Sequence, residues 1–119
     1  MAQAFIASVA GSIMLCSSQK HGDLDFWERQ FSEGVYDDTY EWVADFDVLC
    51  PMLADAISHT SCAACKVLHL GCGNSDLAER LYHDLSVRQV TSVDFAESAI
   101  RSMAARNATL RPELQWLVS

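Results

Sequence analysis

The chain has 119 residues, half of them hydrophobic and 20% charged, with a net charge of −8 at neutral pH. That balance excludes a disordered or fibrous chain and describes one small globular domain. The excess of acid excludes a surface built to hold nucleic-acid phosphates.

In chain order, residues 1–20 contain two apolar runs, 4–10 and 13–16, with no Lys or Arg before Lys20. A secretory leader needs a positive start and a mitochondrial one needs arginines, so neither pattern fits. The runs are also too short, and too broken by Ser and Gly, to cross a bilayer. This stretch reads as an N-terminal tail, either disordered or a short helix against the domain. Residues 21–60 read as an acidic helical cap. Between 21 and 47 stand nine acids (Asp23, Asp25, Glu28, Glu33, Asp37, Asp38, Glu41, Asp45, Asp47) against one base, Arg29. That segment alone carries the net charge, and as a surface it suits a basic protein partner or serves solubility only. A helix is predicted over 24–31, then a loop around Gly34. A second helical run covers 45–57, with Phe46, Leu49, Leu53 and Ile57 at helical spacing and Pro51 expected to kink or restart it.

Residues 61–119 read as a partial ligand-binding α/β domain that follows a linker at 58–65. A strand over 66–70 leads to a glycine turn and a helix over 75–85, whose leucines 77, 81 and 85 share one face. A second strand over 89–94, a helix over 97–107 burying Ile100, Met103 and Ala104, and a third strand over 114–118 complete the pattern. Tyr36, Tyr40 and Tyr82 carry no signal beyond packing.

The chemistry is concentrated in Val67-Leu68-His69-Leu70-Gly71-Cys72-Gly73-Asn74-Ser75 and in Asp94, which ends the second strand. Gly71 and Gly73 remove side chains where the backbone turns sharply and where a ligand approaches it. The helix start beyond them offers free N–H groups to an anion. A dinucleotide fingerprint wants a third glycine, but Asp76 stands there and sets a negative charge where a pyrophosphate would lie. A cofactor with one carboxylate, a sulfonium and no phosphate fits better, and S-adenosylmethionine is that molecule. Asp94, at the carboxyl end of its strand, is placed to accept from both ribose hydroxyls. Phe95 beside it suits the adenine, and an indole face can meet a sulfonium.

Five cysteines, an odd number without a disulfide framework, suit a reducing compartment such as the cytoplasm. Cys62 and Cys65 form a CxxC near His59, His69 and Cys72, but no second spaced pair accompanies it, so no metal is expected. A small thiol or metal protein is the minor alternative.

At these residues the chain resembles the class I S-adenosylmethionine-dependent methyltransferases. It is most similar to the branch with the elongation-factor-1-alpha lysine methyltransferases and methyltransferase-like proteins. The motifs are Phe26-Trp27-Glu28, Tyr40-Glu41-Trp42, Leu70-Gly71-Cys72-Gly73-Asn74-Ser75 and Val90-Thr91-Ser92-Val93-Asp94-Phe95. The resemblance covers about residues 24 to 118. It implies a Rossmann-like α/β fold in incomplete form: the first three parallel strands, in the order 3-2-1, with N-terminal helices. One edge of the first strand and some apolar faces are expected to lie open. It implies cofactor contacts from Trp27, Phe31, Trp42, Gly71, Gly73, Asp94 and Phe95, and a lysine-bearing protein as substrate, with no nucleic-acid or membrane partner. Two positions depart from the family. His69 stands where many members carry an acid that would accept from the cofactor's ammonium, and Arg29 precedes the usual arginine position, now Gln30, by one residue. No catalytic base is singled out, since His69 and His83 both read as structural. The alternative function is a non-catalytic cofactor-binding or interaction fragment whose acidic surface meets a basic partner.

Overall fold

The computed structural model describes the backbone of residues 4–7 and all of 22–36, 39–41, 44–59 and 65–119. Its centre is a parallel sheet of β1 (Ala4–Ala7), β2 (Lys66–Leu70), β3 (Gln89–Asp94) and β4 (Gln115–Val118), ordered β1-β2-β3-β4. Two helices, α1 (Leu24–Ser32) and α2 (Phe46–Ser58), precede β2. The crossover helices α3 (Leu77–Asp84) and α4 (Glu97–Asn107) join β2 to β3 and β3 to β4. The three expected strands are neighbours and run first, second, third away from an edge strand that was not expected, which is the order 3-2-1 read from the opposite edge. Residues 4–7, assigned above to a disordered or helical tail, pair with β2 in the register Ala4↔Val67 to Ala7↔Leu70. The edge of β2 expected to lie open is therefore hydrogen-bonded. The rest of residues 1–21 lies outside the described residues.

The strands form where the period-2 pattern and β-branched residues coincide. Val67 and His69 on β2 match Val90 and Ser92 on β3 in register, and all four are buried. Val67, Val90 and Leu114 close a core with Phe46, Leu53 and Ile57 of α2 and Leu77, Ala78 and Leu81 of α3. The leucine stripe of α3 thus faces inward, as its spacing predicts. Pro51 neither ends nor restarts α2, which runs through it from Phe46 to Ser58. Burial of Phe46, Leu53 and Ile57 on both sides of the proline outweighs the single backbone bond it removes. The opposite face of the sheet stays partly bare. Leu70 is 43% and Leu117 51% exposed, with Leu68 and Val93 half-buried between them. Parallel sheets are normally covered on both faces, so this is the apolar surface expected of an incomplete fold.

One cross-strand row on the covered face is polar. His69 lies opposite Ser92, and Ser92 opposite Trp116. The buried atoms His69 Nδ1, Ser92 Oγ and Trp116 Nε1 have no hydrogen-bond partner among the described residues. Burial pushes the His69 imidazole down to about 4, so it is neutral at pH 7. Its folded value lies below the unfolded one, so the unfolded chain binds more protons between pH 6.5 and 4, and stability is lost as pH falls through that window. From pH 7 to pH 4 this group alone removes about 3 kcal/mol. Urea unfolding should therefore show wild type losing about 3 kcal/mol more than His69→Leu over that interval. Equal losses in the two proteins would mean that His69 is not held neutral.

Candidate cofactor site

The site is built on the loops that leave β2 and β3 side by side. Gly71 and Gly73 adopt φ of 64° and 46°, left-handed values that cost an L side chain about 1–2 kcal/mol. Their surroundings differ. A Cβ on Gly71 would meet nothing within 4 Å, whereas one on Gly73 would lie 2.9 Å from Cζ of Phe31. The space over Gly71 is open, and an aromatic ring already covers Gly73. The Cys72 N–H donates to Val93 O at 3.1 Å and stitches the loop to the neighbouring strand. Burial and the Asp94 charge push the Cys72 thiol far above its usual range, so it stays protonated and unreactive.

Asp94 is the hub. Its Oδ2 accepts the Gly73 N–H at 2.8 Å and its Oδ1 accepts the Ala96 N–H at 2.8 Å, with only 6% of the residue exposed. The carboxylate expected to receive hydroxyls at the strand end also has a role within the chain. One acid satisfies a backbone donor in each loop and holds the two at a fixed separation. Each oxygen keeps a second lone pair for a hydroxyl.

The helix starts differ from expectation. At α3 two of the N–H groups at the helix start are already taken. The Asp76 N–H donates to Glu41 Oε1 at 3.0 Å, and the Leu77 N–H to Ser75 Oγ at 3.1 Å. Asp76 makes no side-chain capping bond of its own. Glu41 is half-buried, and desolvation raises its carboxyl above the ordinary range. At α4 the N-cap is Ala96, which has nothing to cap with, and Glu28 supplies the acceptor: the Ser98 N–H donates to its Oε2 at 3.2 Å. Two of the nine acids expected on the surface are therefore turned inward onto helix termini, where a negative charge is stabilising.

The aromatic residues lie over the loop as a chain of contacts. Trp27 stacks on Phe31 at 6.0 Å, Phe31 meets Tyr36 at 6.0 Å, and Tyr36 stacks on Tyr40 at 4.2 Å. Asn74 Nδ2 donates to Tyr36 O at 2.7 Å and fastens that chain to the turn. The structure thus gathers Phe31, Gly71, Gly73 and Asp94, with Trp27 adjoining through Phe31. Phe95, 38% exposed, follows Asp94 directly. Trp42 lies outside the described residues. His83 is exposed on α3 and His69 is buried beneath the turn. Arg29 is exposed, its Nε donating to Asp25 O at 3.2 Å. Glu28, Glu41, Asn74 and Ser75 were missed as site residues. For the two glutamates a signal existed, since each is the acid of an aromatic-acid motif. Among the described residues no three His, Cys, Asp or Glu side chains converge on a metal position. Cys65 is buried, and its CxxC partner Cys62 is outside the described residues.

Gly73, Asp76, Leu77, Ala96 and Ser98 all give their N–H groups to side chains of the chain itself. Carboxylates of Glu41 and Asp94 accept in that same ring of donors. These five N–H groups are therefore already taken and are not offered to a phosphate.

No protein-family model matches the chain. The eEF1A lysine and N-terminal methyltransferase of Danio rerio is 36% identical over 105 residues, which are 88% of this chain and 14% of that protein. The Homo sapiens protein of the same name is 37% identical over 101 residues, 85% of this chain and 14% of its own length. EEF1A lysine methyltransferase 4 of Mus musculus is 29% identical over 97 residues, 82% of this chain and 36% of that protein. The chain thus spans 14% of the length of the first two relatives. Over most of its own residues the chain is thus similar to one segment of these methyltransferases.

Proposed function

We propose that these residues are the cofactor-binding part of an S-adenosylmethionine-dependent methyltransferase that modifies a protein lysine. The observation that carries this is the carboxylate of Asp94 bonded to both Gly73 N–H and Ala96 N–H, beside the open space over Gly71. Such a cofactor brings a methyl group on a sulfonium, an activated leaving group, so the protein's part is mainly to hold and orient. Asp94 would fix the two loops and offer its remaining lone pairs to ribose hydroxyls. Phe95 would supply a face for the adenine, Gly71 would leave the backbone open to close approach, and Trp27 and Phe31 would form the wall on the N-terminal side. His69, buried and neutral, offers no charge to the ammonium of the amino-acid end.

The relatives' names carry eEF1A, and a lysine of that protein is the acceptor we propose here. The exposed acids of the N-terminal segment suit a lysine-rich protein surface, and a reducing compartment such as the cytoplasm suits the free thiols. A second reading, a cofactor-binding or interaction fragment without turnover, is favoured by the bare sheet face at Leu70 and Leu117.

Calorimetric titration of the full chain with S-adenosylhomocysteine should give saturable binding, while NAD should give none; equal binding of both, or of neither, would overturn the assignment. Phe95→Ala, at a solvent-facing position, should keep the fold and weaken that binding by roughly tenfold, about the loss of one aromatic contact. In Asp94→Asn the amide –NH₂ must face one of the two backbone N–H groups. Stability should fall by about 2 kcal/mol in a denaturant titration, together with loss of binding. Labelled methyl transfer to purified eEF1A should be weak or absent with residues 1–119 alone, and multiple turnovers would exclude the fragment reading.

A further inference from the structure

Helix α4 opens directly after Asp94-Phe95-Ala96, and its own N-cap gives it nothing. Ala96 carries no polar side chain, and the first bond within the helix is the Ile100 N–H on Ala96 O at 3.2 Å. The Ser98 N–H is one of the orphan donors of the first turn, and it is satisfied from outside by Glu28 Oε2 at 3.2 Å. Ser98 Oγ donates in turn to Glu28 O at 3.4 Å. The two residues thus hold each other reciprocally, side chain to backbone in both directions, as in a capping box but across 70 residues of chain.

Glu28 belongs to α1, which packs on α4 with Phe26, Trp27, Glu28 and Phe31 half-buried. One turn further along that helix, Phe31 lies against Gly73 in the other ligand loop, and Trp27 stacks on it. Residues three apart share one face of a helix, so a rigid turn of backbone sets the spacing of these two contacts. The loops after β2 and β3 are therefore tied twice. Asp94 joins Gly73 to Ala96 from the strand end. Helix α1 joins Gly73 to Ser98 through Phe31 and Glu28. Phe95, itself exposed, lies in the short segment from 94 to 98 that these ties hold.

We propose that Glu28 is a positioning residue of the cofactor site: through Ser98 it fixes the first turn of α4, and with it the angle at which Phe95 meets the adenine. This role rests on the cofactor assignment above for what Phe95 faces, whereas the tie to the turn is a property of the chain alone. The bond needs an acceptor at the reach of a glutamate, not a charge. Glutamine keeps that acceptor, aspartate keeps the charge but stops one methylene short, and alanine keeps neither. Without the tie, Ala96 offers no replacement, and the turn gains freedom that a ligand must remove on binding.

Calorimetric titration of the full chain with S-adenosylhomocysteine should find Glu28→Ala and Glu28→Asp weakened roughly tenfold, and Glu28→Gln within about threefold of wild type. In the Phe95→Ala background, Glu28→Ala should add little, leaving the double variant roughly tenfold and not about a hundredfold below wild type. A general fold defect would instead weaken both backgrounds alike. Additive losses, or Glu28→Gln as weak as Glu28→Ala, would overturn the role. Should alanine prevent folding, the contrast between Glu28→Asp and Glu28→Gln carries the same decision. NMR relaxation of the backbone amides without ligand adds a second arm. Order parameters at Phe95 and Ser98 should fall in Glu28→Ala while Val67 and Val90 in the central strands keep theirs. Unchanged values at Phe95 and Ser98 would also overturn the role. A loosened turn in Glu28→Ala, with no ligand binding even in wild type, would remove the cofactor assignment and leave the tie standing.

Discussion

A backbone N–H that leaves water must find an acceptor, and in this molecule one carboxylate answers that requirement for two loops at once. Asp94 can do so because β2 and β3 are parallel and in register, with Leu70 opposite Val93, so that both chains leave the sheet at the same level. Its two oxygens then reach Gly73 on one side and Ala96 on the other. The separation of the loops, the opening over Gly71 and the seat of Phe31 on Gly73 all follow from that geometry. A neutral side chain of the same size would leave one donor facing another. The acid is therefore needed by the fold before any ligand arrives, and its value to a ligand is secondary to that need.

The charge distribution has a similar double use. Nine acids in 27 residues look like a solvated face, and several of them are one: Asp23, Asp25 and Glu33 are exposed. Glu28 and Glu41 instead meet the positive ends of α4 and α3, whose own N-cap residues, Ala96 and Asp76, make no capping bond. The site consequently presents acceptors where many nucleotide-binding turns present donors. That inversion leaves less to hold a phosphate and supports the sulfonium cofactor proposed above.

Much of this was legible beforehand, and what was not has a common cause. The spacing of leucines 77, 81 and 85 and the run from Val90 to Val93 report local periodicity, and the corresponding helix and strand stand within a residue or two of their expected bounds. The glycine turn was legible because positive φ leaves a chemical mark, although the reason for Gly73 is partly Phe31, which no local pattern shows. The bonds from Glu28 and Glu41 span 70 and 35 residues of chain, and side chain-to-backbone pairing over such distances has no period to detect. At Pro51 the expected restart is absent for the converse reason: its local rule is sound, but burial around it is worth more than one missing bond. The strand at residues 4–7 escaped notice because four small and apolar residues without turn signals look alike as strand, helix or tail.

That edge strand bears on how the molecule assembles. Along the chain, β2, β3 and β4 follow one another through single helices, so each pairing closes a loop of a few tens of residues. The pairing of Ala4 with Val67 must instead bring together positions on opposite sides of both N-terminal helices. Loop-closure entropy grows only as the logarithm of length, so the extra cost is about 1 kcal/mol relative to β2–β3 pairing, yet four residues return little to offset it. The order of events follows from the contour of the chain: the contiguous βαβαβ block nucleates first, and the amino-terminal strand zips on last. Pulled from its amino terminus, the molecule would surrender that strand before any other part of the sheet yields.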